Sequence, residues 1–477
     1  MPQIKYIYPY SHKTFGGSEF CIAIADGEKS LIIKNVGDAY RRFRGREETA
    51  DGARLKICGL THENAVEIRG VFPFTRPSSH AGHNLTVGLG DRLGLASPGH
   101  IRLIRDMDVF PVLAQQSIRE LTLTGRTFDE VLDAATWAVF QEGYEKGFGA
   151  DGDHLKTANE VKTALDAGYT MITLDCSEHI KNSAANLPDD EIDILYADFT
   201  HGDARSYESD YFGKTFDVGG AAISFDEREL KRTAVIYGGA IIHTKRIYDD
   251  FIIKNAYPVD FEVSIDETPS PTSPAAHFFV ANELAKSGVK CVSVAPRFCG
   301  EFQKGIDYKG DIRQFEREFI IHNKIANHFG YKLSVHSGSD KFAVFPIIRK
   351  ESGGVYHLKT AGTNWLEALR VMARKTPDIF RKIAAYGLAH LHEAKKYYAT
   401  TENTDNIPDL ESLSDDSLPS FLDQDDARQV LHITYGIVLS AEQDGKKLFK
   451  DDIYAALRLY ENDYYEALIK HIGRHLQ

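Results

Sequence analysis

The nine residues GADGDHLKT, Gly149 to Thr157, set acids, a histidine and a lysine among small residues. Those types suit proton transfer beside a metal ion. The small Gly and Ala residues let a substrate approach the backbone. Asp153 offers a base, His154 a neutral imidazole of the kind that binds Zn²⁺ and its first-row neighbours, and Lys156 a positive charge for an anionic group. Consecutive residues of a strand point to opposite sides, so Asp153 and His154 share one site only where the chain has left regular strand geometry. The Gly-rich context permits that. The competing reading is that Asp153 caps a helix starting near Thr157. A second histidine of the same kind, His336, follows an apolar run in LSVHSGSDK.

Other short apolar runs also end in polar residues. Reading them in order gives Asp91 and Arg92, then Asp175, Glu262 with Asp266 and Glu267, Arg297, the group Ser339, Asp340 and Lys341, then His357 with Lys359, and finally His432. A convergence of His, carboxylate and Lys/Arg is what a metal-assisted reaction on a polyhydroxylated anion requires. Most of the 19 histidines, His322 and His328 among them, fall on loops or helix faces and read as structural. His357 and His432 could line a pocket or face the helices. The Gly-punctuated loop RFCGEFQKGIDYKGD carries Arg297 and Lys304, either of which could pair with a carboxylate or phosphate; Gln303 in the same loop reads on composition as a surface residue. Gly88, Gly90 and Gly94 approximate a dinucleotide fingerprint, but Leu93 stands where the third Gly belongs and no acidic ribose clamp follows.

Positioning such residues calls for a barrel mouth, because polar side chains at the C-terminal ends of barrel strands face the active site. Eight runs read as strands: NLTVGLGDR, FGADGDHLK, TMITLDCS, DFEVSIDET, KCVSVAPRF, KLSVHSGSD, VYHLKTAG and VLHITYG. Helical stretches fit between them, beginning with PVLAQQSIREL and ending with one long stretch from NWLEALRV to KKYYA. The alternation predicts an α/β fold, a (β/α)₈ TIM-type barrel. Residues 1–78 read as a small β-rich N-terminal region and 79–477 as the barrel domain, with helical insertions at about 182–250 and 400–428. The second insertion is densely acidic and reads as a solvated loop or short-helix insert.

Composition narrows the class. With 56 Lys+Arg against 69 Asp+Glu the 477-residue chain carries a formal charge of −13, which argues against a nucleic-acid partner. Five dispersed cysteines without a C-x-x-C speak against a disulfide framework and a Cys-rich zinc site, and fit a reducing cytoplasm. The first residues have no signal-peptide pattern, and the apolar stretch AVIYGGAII is too short to span a membrane.

The strings GLGDRLGLASPGH, QQSIREL, GADGDHLKT, APRFCGEFQKGIDYKGD and SVHSGSDKF, in that order between about residues 85 and 365, resemble the tagaturonate/fructuronate epimerase family of bacterial hexuronate catabolism, whose relatives act on fructose and tagatose. The resemblance implies a divalent metal cofactor, with Zn²⁺ as first choice and Mn²⁺, Co²⁺ or Ni²⁺ as alternatives, and a small sugar-acid or ketose substrate. It places the base on Asp153, metal ligands on His154, Gln303 and His336, and an acid on Glu262, with Asp266 and Glu267 offering the same chemistry nearby. Lys156, Asp175, Asp266, Arg297, Lys304, Asp340, Lys341, His357 and Lys359 are left as candidate substrate contacts. A metal-dependent aldolase or ketose isomerase, or a sugar-acid binding protein, would share parts of this pattern.

Overall fold

The computed structural model describes residues 3–50, 52–200, 204–398 and 400–477. The N-terminal region is a six-stranded antiparallel sheet built from Ile4–Ile7, Lys13–Phe15, Ser18–Ala25, Glu28–Lys34, Arg46–Ala50 and Ala53–Gly59. Its central hairpin turns at Asp26-Gly27, both with positive φ, the backbone that a two-residue turn between twisted strands demands. Alternate residues Phe20, Ile22, Leu31 and Ile33 form one apolar face, which packs with Ala65, Ile68 and Val71 of the helix His62–Val71.

Eight strands close a barrel: Leu85–Leu89, Phe110–Ser117, Gly149–Leu155, Met171–Asp175, Asp260–Ile265, Ser293–Pro296, Lys332–Val335 and Tyr356–Thr360. They follow one another around it in sequence order. The expected strand count holds, but one member of the expected set is replaced. The stretch PVLAQQSIREL is not a helix throughout; Phe110–Ser117 is the second barrel strand, and a helix begins only at Ile118. That helix starts at a capping box of Ser117 and Glu120, which fixes where a helix begins without deciding what precedes it. Every residue of the strand is buried, so its pattern has no period to read.

VLHITYG is not the eighth strand. It lies in the helices Asp425–Ile433 and Tyr435–Ser440, so His432 is not at a strand end. Val430, Leu431 and Ile433 pack in an apolar core of helices, and that tertiary burial overrides their β-propensity. The long stretch after Gly362 breaks at Pro377 into Thr363–Lys375 and Pro377–Ala389, since Pro tolerates only the first helical turn.

The first insertion follows the fourth barrel strand and holds the helices Asp189–Thr200, Ala204–Tyr211 and Glu227–Ile247 around a small hairpin. The acidic insertion is less solvated than its charge suggests. Its 3-10 stretch Asp415–Asp423 buries Leu418, Phe421 and Leu422, and Arg381 donates to the Leu413 carbonyl at 2.7 Å and to Asp415 at 2.9 Å. Among the described residues no helix is long and apolar enough to cross a membrane.

The chain forms two compact units. One comprises the stretch through Ser78 with Gly88–Ala150 and Ala361–Gln477, the other Ser79–Val87 with Asp151–Thr360. In the second unit the strands read apolar outward and polar inward: Ile172, Leu174, Phe261, Val263, Leu333 and Leu358 alternate with Thr173, Asp175, Glu262, Ser264, Ser334 and Lys359, all of them buried. This unit holds most of the residues whose types and spacing suit chemistry in the sequence.

Candidate active site

The third barrel strand loses its register at its end. Ile172 pairs with Gly152 but Leu174 pairs with Leu155, so one residue bulges between them. His154 stands there at φ 53°, a left-handed conformation that costs an L-residue roughly 1–2 kcal/mol. The bulge is the departure from strand geometry that lets Asp153 and His154 serve one site. Asp153 does not cap the following helix; Thr157 does, in a capping box with Glu160.

Lys359 is the centre of the polar interior. Its ammonium donates to Asp151 at 2.8 Å, to Asp153 Oδ1 at 2.7 Å and to Thr173 Oγ1, and lies 3.0 Å from Glu262 Oε1. Thr173 in turn donates to Asp151 at 3.0 Å, and Ser293 donates to Glu262 Oε2 at 2.5 Å. The strand register explains the meeting, because Thr173, Glu262 and Ser293 are successive partners across three strands. Lys359 was expected to touch substrate; its donors are instead spent on internal carboxylates.

Each of two histidines is fixed by one carboxylate. Asp153 Oδ1 lies 2.8 Å from His154 Nδ1, and Glu262 Oε1 lies 2.7 Å from His336 Nε2. A carboxylate accepts, so these contacts place N–H on those nitrogens and leave His154 Nε2 and His336 Nδ1 as the nitrogens free to face other partners. His336 Nδ1 is buried without a hydrogen bond, 3.2 Å from Asp266 Oδ1. The rings are 4.8 Å apart by their centroids. His154, Asp266 and His336 each bring one donor atom, all within 4.8 Å of one another.

Electrostatics follow from this packing. Burial pushes the Asp153 carboxyl up, but Lys359, His154 and His336 outweigh it and hold the group well below the usual carboxylate range. Glu262 behaves alike: burial raises it, and Lys359 and His336 bring it far down. Asp151 is the exception. Burial, with help from the charges of Asp153 and Glu262, raises it to about 6 although Lys359 opposes. Burial lowers His336, yet Asp266 and Glu262 lift it to about 10. Glu262 is wholly buried with both oxygens engaged, so it exchanges protons only with the groups around it. Asp153 Oδ1 carries both of its contacts, with His154 and Lys359, and Oδ2 is the oxygen left for a substrate proton.

The remaining expected residues divide. Lys156 Nζ lies 3.4 Å from Glu178 and 3.7 Å from Asp175, and Asp175 accepts from the Ser177 N–H at 2.8 Å. Lys304 donates to Ser337 Oγ at 2.7 Å. Arg297, half-buried on the same loop, makes no ion pair among the described residues. The backbone carbonyl of Gln303 accepts from Lys341 at 2.8 Å, and Asp266 brings a carboxylate oxygen to the two imidazoles.

Other residues are structural. Lys341 is fully buried and gives its ammonium to the backbone carbonyls of Gln303, Ile306 and Ser339, which ties the loop together. Asp340, at φ 65°, is buried at the turn after the seventh strand. His357 is likewise buried, with Nδ1 2.7 Å from Thr86 Oγ1 and its ring stacked on His80. In the first unit Asp91 accepts backbone N–H groups from Leu93, Gly94, Ala96 and Ser97, and Arg92 pairs with Glu120 while stacking on Tyr435. Both hold up a loop.

Asp151, Thr173 and Ser293 were not singled out in the sequence, although a signal was there. Asp151 and Asp153 are two apart, as are Thr173 and Asp175, and period 2 places each pair on one face.

A site of this kind sits in a chain whose residues 8–477 match the model of a single family, tagaturonate epimerase. The chain belongs to the tagaturonate epimerase family. It is an enzyme of the isomerase class. Among the relatives of this epimerase, the tagaturonate/fructuronate epimerase of Thermotoga maritima is 42% identical over 472 residues, 98% of this chain and 96% of that protein. The native crystal structure of the fructuronate-tagaturonate epimerase of Cohnella laeviribosi superposes with a TM-score of 0.96 at 49% identity, covering 99% of this chain and 96% of that one. A glycerol complex of the same protein gives the same values.

Proposed function

We propose that this protein interconverts D-fructuronate and D-tagaturonate through carbon–carbon bond cleavage and re-formation, with a divalent metal held by His154, Asp266 and His336. The observation that carries the reading is the pair of imidazoles, each anchored by a buried carboxylate, with Asp266 bringing an oxygen within 4.8 Å of a nitrogen of each. Two nitrogens and one carboxylate oxygen suit Zn²⁺, Mn²⁺, Co²⁺ or Ni²⁺ with positions left over for substrate. Gln303, on the loop after the sixth strand, is the further ligand that the family resemblance suggests. A bound ion would act as Lewis acid on the ketone oxygen and the neighbouring hydroxyl, where negative charge develops.

The stereochemistry dictates the route. The carbon to be inverted lies β to the ketone, so its C–H is not acidified and simple deprotonation cannot invert it. Asp153, ionised and with Oδ2 available, takes the proton of the hydroxyl on that carbon. The bond to the carbon α to the ketone breaks, its electron pair passes toward the ketone oxygen, and an enediolate and an aldehyde result. After the aldehyde turns its other face, the bond re-forms and Asp153 returns the proton. No oxidant or reductant is consumed. Lys359 keeps Asp153 ionised and in place. Glu262 acts through His336 and Lys359, not on substrate directly. Arg297 and Lys304, on the loop after the sixth strand, are the cations we assign to the substrate carboxylate.

The test is incubation of D-fructuronate with the metal-loaded protein, separation of the products, and a metal assay on the same sample. D-tagaturonate should form, and exhaustive dialysis against chelator should abolish it. Full activity of metal-free protein would remove the metal from the reading, and accumulation of the cleaved aldehyde would make the protein an aldolase.

A further inference from the structure

In the first unit a cavity of about 300 Å³ opens between the helices Thr363–Lys375 and Glu461–Ile472 and the 3-10 stretch Asp415–Asp423. It uses none of the residues of the candidate active site. Arg370 and Arg374 reach it from the first helix, Lys470 and His471 from the second, and Arg474 from just beyond. Its carboxylates, Glu367 and Asp423, are already committed. Glu367 is buried and pairs with Arg370 at 3.0 Å and with His471 Nδ1 at 3.2 Å, and Asp423 pairs with Arg370 at 2.9 Å. Arg370 also donates to the Pro419 carbonyl at 3.0 Å. One guanidinium therefore answers both acids.

Arg374 and Lys470 make no ion pair among the described residues, and both are exposed at the cavity. Both stand in the last turn of their helices, where a cation complements the helix dipole. That preference accounts for each one singly. It does not account for three cations, with Arg474, facing one cavity in a chain of net charge −13.

We propose that this cavity is a second ligand site, which binds a phosphate dianion either free or esterified to a small sugar. The two unpaired cations match a dianion in charge, and a guanidinium fork with a mobile ammonium is the usual pairing for phosphate oxygens. A lone carboxylate would leave one of them uncompensated. The volume stands at the lower end of small-ligand cavities, about 300–1,000 Å³. Attraction between exposed charges is screened by salt, so affinity should fall as ionic strength rises.

The experiment is calorimetric titration of the full-length protein at low salt, with inorganic phosphate in one arm and glucose 6-phosphate in the other. Wild type is compared with the double variant Arg374→Ser, Lys470→Ser. Saturable binding at one site per chain is expected, weakened at least tenfold in the double variant while its melting temperature without phosphate is unchanged. Saturation in both arms identifies the phosphate itself as the ligand; saturation by the sugar phosphate alone identifies the esterified form. No saturable binding in either arm, or equal affinity in wild type and variant, overturns the proposal. Should the double variant fold poorly, Arg474→Gln provides a milder test, with a several-fold loss expected and an unchanged affinity counting against the site.

Discussion

The interior faces of the barrel strands between Asp151 and Thr360 and the helical core around Trp365 are both buried, yet they are built on opposite principles. The first holds Asp151, Thr173, Glu262, Ser293, Ser334, His357 and Lys359. In the second, Trp365, Leu366, Leu369, Phe380, Leu431 and Leu468 pack as an apolar cluster, and the buried polar residues described in the same helices, Glu367, Gln429 and His432 among them, surround no shared ammonium like that of Lys359. Barrel interiors are ordinarily filled with branched apolar side chains. The difference teaches where this protein accepts an energetic cost. Buried charges are expensive unless paired and hydrogen-bonded, and the strands meet that condition by gathering three carboxylates around one ammonium. The helical core has no such task and supplies stability.

The sharpest way to break this comparison is Lys359→Met. It leaves Asp151, Asp153 and Glu262 without their shared counter-charge, so turnover should fall by about 10³-fold or more and stability by about 3–5 kcal/mol, as when one partner of a buried ion pair is removed. Steady-state kinetics and chemical denaturation read both. A variant as stable as wild type would mean that the polar interior does not depend on charge pairing.

Asp153→Asn comes next. It should keep bound metal yet lose about 10²–10⁴-fold in turnover, the range for a general base. His336→Ala should lose the metal itself, measured as metal per chain after gel filtration; metal content equal to wild type would remove His336 from the ligand set.

On the other side of the comparison, Trp365→Ala removes a fully buried side chain whose indole donates to the Leu431 carbonyl at 2.8 Å. It should cost about 3–5 kcal/mol of stability, with turnover per folded molecule within about twofold of wild type. A large loss of turnover at full occupancy would show that the two regions are not separable.

The smallest effect concerns His100, buried in the helix Ser97–Ile104 with neither ring nitrogen hydrogen-bonded. Burial lowers it from 6.5 to about 4, and the charge of Asp91 offsets only part of this. In that interval the unfolded chain binds more protons than the folded one. The stability His100 contributes is therefore complete above about pH 6.5 and is lost as pH falls toward 4, with a slope of at most about 1.4 kcal/mol per pH unit. His100→Leu should flatten the melting temperature against pH in that window.

Much of the active strand set was legible because it is written in period 2. In Asp260 to Asp266 every second residue is polar and every other one apolar, which marks a strand with a polar face and shows which residues share it. The motif around Asp153 and His154 was legible through its glycines. Phe110–Ser117 and Val430–Ile433 were not, because residues buried on all sides have no period, and strand and helix then compete on burial alone.

What the sequence by itself determined is therefore local: the alternation of the strands, the family motifs and the histidines that stand apart from the rest. Only the tertiary structure decided which of these groups meet. Asp151 and Asp153 share a face of the third strand by period 2, but Glu262 and Lys359 come from the fifth and eighth strands, and no spacing in the chain relates them to that pair. Ring closure does. The same holds for Asp266, which the fold sets beside His336, and for Lys341, whose charge the fold spends on carbonyls. The physical reason is that a side chain's direction follows from its neighbours in sequence, whereas its partner and its protonation follow from what the closed barrel places within a few ångströms of it.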